Sequence, residues 1–276
     1  MSEGPGTLKL IWQQTRYQNK IFWRTPVAAF FTLVFPLMFL VLFAAIFGND
    51  VIEGLGVTTA QFFAPGLAVF AAASASYTNL AIGTAISRDN GILKRVRGTP
   101  LPPWIYIAGR VVSAVYLAAL AVVIMMGVAV AFYGVSVYTR TIPAVIVTFL
   151  VGVGCFAALG MLVAALAPNG DSTPAITNAT ILPIAFVSDI FIPTENPPAW
   201  MEFIGNFFPL KHFGDAFRAA FDPTLTGAQF HWDSIGYMAL WGVVAVILAT
   251  RFFKWEPSKS SGKQRRKRTK AGTQPG

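Results

Sequence analysis

The sequence is poor in charge. Asp, Glu, Lys and Arg make up 12% of its 276 residues, about half the ~25% share of soluble domains. The residues AVILMFWYC reach 55%, so water is not the main solvent of this chain. There is one cysteine, Cys155, inside an apolar run, which excludes an intrachain disulfide and any multi-cysteine metal site. The only histidines, His212 and His231, are not spaced as a metal pair. No stretch reads GxxxxGKS or GxxxxGKT, so the chain has no phosphate loop with which to bind and split ATP. Ionisable residues are nearly absent from the apolar runs, where ion-coupled transporters and channels normally carry them. Ser74 and Ser76 have no histidine in any other apolar run, so the groups of a serine intramembrane protease are not assembled. No catalytic residue and no metal ligand is assigned.

What is present is long apolar stretches. Residues 27–47 carry no charge, and at 1.5 Å per residue they reach ~30 Å, the thickness of a bilayer's hydrocarbon core. Similar stretches at about 63–86, 109–133, 143–166, 174–193 and 234–253 predict an all-α integral membrane protein with six transmembrane helices. Pro36 and Pro183 fall inside two of them and mark candidate kinks. The first 26 residues hold Lys9, Arg16, Lys20 and Arg24 where a secretory signal would need an uncharged core, so the first span serves as its own insertion signal.

The charge that remains is basic, with 21 Lys and Arg against 12 Asp and Glu. In a soluble protein that excess would raise nucleic acid as a partner; in a membrane protein it reports orientation. With six spans and an inside N-terminus, only Arg140, Lys211 and Arg218 of those 21 fall outside. Both termini are therefore expected in the cytoplasm, and no nucleic-acid partner is expected. The organisation read from the sequence is a cytoplasmic N-terminal helix (1–26), a six-helix membrane domain (27–254) and a disordered basic cytoplasmic tail (255–276) beside membrane lipid.

Three segments are not simple spans. Lys9, Gln13, Arg16, Lys20 and Arg24 recur at steps of three and four and share one stripe of about 80°, opposite Leu8, Ile11, Trp12, Phe22 and Trp23. This predicts an amphipathic interfacial helix, which serves as a membrane anchor, as a docking surface for a cytoplasmic partner, or as both. In the second inside segment, Arg88, Asp89, Lys94, Arg95 and Arg97, with Gly91 among them, surround Ile92, Leu93 and Val96 ahead of a Gly98-Thr99-Pro100 stop, which predicts a short cytoplasmic helix. It reads either as a connector basic for topology alone or as a contact for another protein. Outside, Trp200, Phe203, Phe207, Phe208, Phe213, Phe217 and Phe221 predict two short helices, Trp200 to Phe208 and Leu210 to Phe221. Both are too short to span, and so lie in the outer leaflet or re-enter it.

Uncharged polar residues gather in two spans: Ser74, Tyr77, Thr78, Asn79 and Thr84 in the second, Thr177, Asn178, Thr180 and Ser188 in the fifth. They either line a route for an amphipathic cargo or hydrogen-bond between helices. Asp189, near the outer end of the fifth span, is an interfacial carboxylate or a pathway residue.

Two stretches resemble the permeases of ABC type-2 exporters. Ile86 to Ala114 is similar to their cytoplasmic loop, an R-(D/E)-x-G-x-(L/I)-(K/E)-(R/Q) run before a small-residue–Pro step and the third span. Ser188 to Ala219 is similar to their external signature through Phe191, Pro193, Pro198, Trp200, Pro209, Leu210 and Arg218. The resemblance covers about residues 7 to 255. It implies the transmembrane half of an ATP-driven exporter, not itself an enzyme; the basic tail and the Ala/Val/Gly-rich spans are compatible with a bacterial inner membrane. Two copies of a separate cytoplasmic ABC ATPase would bind ATP and Mg beneath a pair of permeases, a homodimer rather than paralogues. The segment from Arg88 to Arg97 would couple to the ATPase, Pro193 to Phe221 would form the external gate, and the pathway would run between the second and fifth spans. The cargo class it implies is lipid-like, glycan or drug-like. The alternative is a passive channel or secondary transporter without an ATPase. Asp189 stands where the family commonly has glycine, and either selects polar or cationic cargo or pairs with Arg218 or Lys211.

Overall fold

The structure is a computed structural model that describes residues 6–52, 56–99, 101–191 and 197–253. The expected basic tail and Pro193 lie outside those residues. The described chain is helical, and its only β pairing is an isolated bridge between Val51 and Thr58. The helices are α1 (Thr7–Trp23), α2 (Pro26–Phe47), α3 (Thr59–Asp89), α4 (Ile92–Arg97), α5 (Pro103–Tyr133), α6 (Thr139–Leu166), α7 (Thr173–Val187), α8 (Ala199–Phe207), α9 (Pro209–Ala219) and α10 (Trp232–Phe252). A proline in the first turn opens α2, α5, α7 and α9. Its missing N–H costs nothing there, and its fixed φ suits the first helical residue. Gly134, at φ 68, closes α5 in the left-handed conformation.

Five helices, α2, α3, α5, α6 and α10, are long and apolar enough to cross a membrane. They match the stretches expected at 27–47, 63–86, 109–133, 143–166 and 234–253. The remaining expected span, 174–193, is shorter than the apolar run suggests. Its helix α7 has 15 residues, ~22 Å of rise against the ~30 Å of a hydrocarbon core. It ends at Val187 because Asp189 adopts φ 56, which no right-handed helix accommodates.

α3 is the axis of the bundle, with 67% of its most apolar window buried against 17% for α2 and 22% for α10. α2, α5 and α9 pack on it, and α6 pairs most extensively with α10. Two spans widen into one π-helical turn. In α2 it is Phe30–Val34, next to Pro36, which has no N–H for the carbonyl of Thr32. In α3 it is Ser74–Thr78, where the Ser76 hydroxyl donates to the Ala72 carbonyl at 2.7 Å. Gly160 of α6 packs against that turn, and a Cβ there would stand 2.6 Å from the Tyr77 carbonyl oxygen.

Candidate functional site

At the α4 end of the bundle the expected coupling segment divides into two parts. Only Ile92–Arg97 forms the short helix, entered through Gly91 at φ 71. On it Lys94, Arg95 and Arg97 are exposed, Ile92 is half-buried, and Leu93 is fully buried against the bundle. Arg88 and Asp89, read from the sequence as members of the same surface, belong instead to the last turn of α3 and point inward. Arg88 is 4% exposed. Its guanidinium forks onto the carbonyls of Ala164 and Ala167, both at 2.8 Å, where α6 ends with carbonyls that have no helical partner. Its Nε lies 3.3 Å from Asp89 Oδ1, and Asp89 Oδ2 accepts the Gly170 backbone N–H at 2.6 Å.

α1 lies beside the start of α5. The Thr15 hydroxyl donates to the Gly109 carbonyl at 3.3 Å, Ser113 donates to Asn19, and Gln14 fills the space over Gly109. Lys9, Gln13, Arg16, Lys20 and Arg24 are all exposed on the far side. The apolar side expected opposite that stripe splits. Phe22 is buried and Ile11 partly so, whereas Leu8, Trp12 and Trp23 stay exposed on a shoulder beside the cations.

Sequence reasoning did not single out Arg110. It is buried in α5, over the Tyr106 ring, and donates to the Tyr106 hydroxyl and to Ser87 Oγ at 3.0 Å. Gly83, lacking a side chain, leaves the room its guanidinium occupies. The signal was a lone arginine close to the start of a long apolar run.

The candidate pathway residues are partly used in helix contacts. Tyr77 and Thr180 share a hydrogen bond of 2.6 Å between α3 and α7. Asn79 donates to Thr32 at 2.8 Å and so links the two spans that contain π turns. Thr177 is buried and donates to Thr173 within α7. Asn178 is exposed, and Ser74 and Thr78 are half-buried.

At the opposite end, Asp189 sits among cations. Lys211 Nζ stands 3.6 Å from its Oδ2, and Arg218 Nη2 donates to its backbone carbonyl at 2.9 Å. Arg218 also pairs with Asp215 at 3.3 Å and lies 4.7 Å over the Phe62 ring. Burial pushes the Arg218 guanidinium below its usual pKa, and the charges of Asp215 and Asp189 oppose that shift. Phe191 is buried among Phe39, Phe70 and Phe186, with ring centroids 4.9–5.0 Å away. Pro209 and Leu210 are buried at the start of α9, and Trp200 is exposed on α8. Gln61 was also missed. Its amide donates to the Ser136 and Phe221 carbonyls and accepts from the Ser136 N–H, tying the α5–α6 connection to the end of α9.

Residues 9–221 match the family described as ABC-2 type transporter. The chain belongs to that family. Among its relatives, the daunorubicin resistance ABC transporter permease protein DrrB1 of Streptomyces coeruleorubidus is 27% identical over 214 residues, 75% of this chain and 72% of that one. Nodulation protein J of Rhizobium leguminosarum bv. trifolii is 28% identical over 251 residues, 89% of this chain and 93% of its own. The inner membrane transport permease YadH of Escherichia coli K12 is 22% identical over 219 residues, 78% and 82% of the two chains. Membership of this membrane family and five long apolar helices make the protein an integral membrane protein.

Proposed function

We propose that this chain is the permease subunit of an ABC exporter. It moves a lipid-like, glycan or drug-like substrate outward on ATP hydrolysed, with Mg, by a separate cytoplasmic ATPase. The observation that carries the reading is α4, a six-residue helix that presents Lys94, Arg95 and Arg97 to solvent while Leu93 anchors it. Three cations that make no ion pair among the described residues, on a fixed projection, suit a cleft in a partner better than a connector. In this reading two ATPase copies serve two permease copies, a homodimer. α7 is the sixth crossing, completed by flanking residues, so both termini are cytoplasmic and the membrane is the bacterial inner one. α1 adds a second contact or an anchor in the interface, and α8 and α9 re-enter the outer leaflet. The pathway runs between α3 and α7 of the two copies, past Asn178. Asp189, Phe191, Pro193, Trp200, Pro209, Leu210 and Arg218 form the outer gate.

The test is charge reversal across Lys94, Arg95 and Arg97. The variant is expected to insert normally but to lose the ATPase on co-purification and to lose export. Undiminished ATPase binding and export in that variant would refute the assignment.

A further inference from the structure

Arg88 and Asp89 look from the sequence like part of a docking surface, yet neither is available to a partner. Their side chains are 5% and 11% exposed. Their contacts run to the connection between α6 and α7, on both sides of it. Arg88 holds the carbonyls of Ala164 and Ala167, at the end of α6, and Asp89 holds the N–H of Gly170, in the turn that leads into α7. The fit leaves no slack, since a Cβ at Gly170 would meet the Ile86 backbone at 3.0–3.1 Å. The connection is itself braced, with the Asn169 side chain accepting the Ser172 N–H at 2.8 Å and the Asn169 carbonyl accepting from Ser172 and Thr173 as α7 begins. On the other side, α4 is stiffly joined to the same turn of α3. The Asn90 and Gly91 N–H groups bond back to Ile86 and Arg88, Gly91 supplies the left-handed turn, and Leu93 is packed away.

We propose that Arg88 and Asp89 are positioning residues that carry a displacement of α4 into the α6–α7 connection and through it into α7. The inference rests on the reading of α4 as the ATPase contact. A push on Lys94, Arg95 and Arg97 moves the last turn of α3. The fork on two carbonyls and the carboxylate on Gly170 then oblige the end of α6 and the start of α7 to follow. Two charged side chains facing into the bundle do here what an apolar contact cannot, because directional bonds to three backbone groups resist sliding. α7 carries Thr177, Asn178 and Thr180, so the motion arrives at the candidate pathway.

The experiment uses the permease–ATPase complex with Cys155→Ala, spin-labelled at Asn178→Cys on α7 and Val243→Cys on α10. The label distance is measured without nucleotide and after trapping with ATP and vanadate. With Arg88 and Asp89 intact, trapping is expected to shift the distance. In Arg88→Ala the ATPase is expected to co-purify as before while the shift disappears. Arg88→Lys, a cation that cannot fork two carbonyls, should restore part of it. Should Arg88→Ala fail to assemble, Asp89→Ala decides the matter, since it leaves the two carbonyl bonds of the fork and releases Gly170 together with the Arg88 Nε contact; a reduced shift is expected there, and Asp89→Asn, which keeps an acceptor oxygen, should recover it. A full shift in the Arg88→Ala complex, or in the Asp89→Ala complex, overturns the positioning role and leaves the exporter reading standing. No shift on trapping with Arg88 and Asp89 intact overturns both.

Discussion

Asp189 shows how one residue type is set by backbone geometry before chemistry. A glycine would suit this position, because the φ of 56 costs most L-residues ~1–2 kcal/mol and Asp or Asn less. The carboxylate recovers something by facing Lys211 at 3.6 Å with both side chains largely buried. Pairs of this sort contribute on the order of 1 kcal/mol. The two effects nearly cancel, so Asp189→Gly is expected to leave stability within about 1 kcal/mol. Asp189→Val, which loses the pair and puts a branched side chain at positive φ, should cost about 2 kcal/mol or more. Thermal unfolding of the purified protein checks both. Export kinetics unchanged by Asp189→Gly would remove any cargo-selecting role for the carboxylate. Of the two expected partners, the carboxylate pairs with Lys211, while Arg218 meets the backbone carbonyl of Asp189 instead.

At the scale of helices, close approach matters more than apolarity. Gly160, Gly83 and Gly154 look alike in the sequence and face different neighbours. A methyl at Gly160 would stand 2.6 Å from the Tyr77 carbonyl and 3.1 Å from its Cα, both backbone atoms of a buried π turn that cannot move aside. At Gly83 the obstacle is the far end of the Arg110 side chain, and at Gly154 nothing lies within 4 Å. Gly160→Ala is therefore expected to destabilise by roughly 1–3 kcal/mol and Gly83→Ala by less. Gly154→Ala should be neutral or stabilising by up to ~1 kcal/mol, the helix-propensity gain. Melting temperatures in one detergent give the order directly, and equal losses at Gly160 and Gly154 would contradict the packing account.

The same contrast explains what was legible beforehand. Apolar runs announce α2, α3, α5, α6 and α10, because length and composition suffice for a span. The step-three-and-four cations announce α1, and the charged residues around Ile92, Leu93 and Val96 announce α4. The early end of α7 was hidden, since Ser188 to Phe191 remain apolar enough to continue a run, and only the left-handed backbone at Asp189 stops it. The inward turn of Arg88 was hidden too. Its partners are carbonyls of Ala164 and Ala167, 76 and 79 residues away, and backbone acceptors leave no trace in residue identity. The bond between Asn79 and Thr32 falls in the same class, long-range and between residues ordinary in themselves.

For the whole molecule, exposed charge and depth divide the bundle into two unlike ends. The end with α1 and α4 carries the exposed cations Lys9, Arg16, Lys20, Arg24, Lys94, Arg95 and Arg97. The other carries Asp50, Asp215, Asp222 and Asp233 with Lys211 and Arg218, and there α9 packs on α3, α6 and α10. Positive charge is retained on the cytoplasmic side during insertion, so the α4 end should face the cytoplasm. In a Cys155→Ala background, single cysteines at Arg95 and at Thr226 probe the two ends, both positions being exposed. Thr226→Cys is expected to react with a membrane-impermeant maleimide in intact cells, and Arg95→Cys only after the cells are opened. Because an even number of crossings is needed to bring α4 and the end of α10 to one side, a third cysteine at Arg251 reads the parity, and with it whether α7 completes a crossing. Labelling of Arg251→Cys in intact cells, with Thr226→Cys then silent, would leave α7 as a helix that does not cross and would return the count of spans to five.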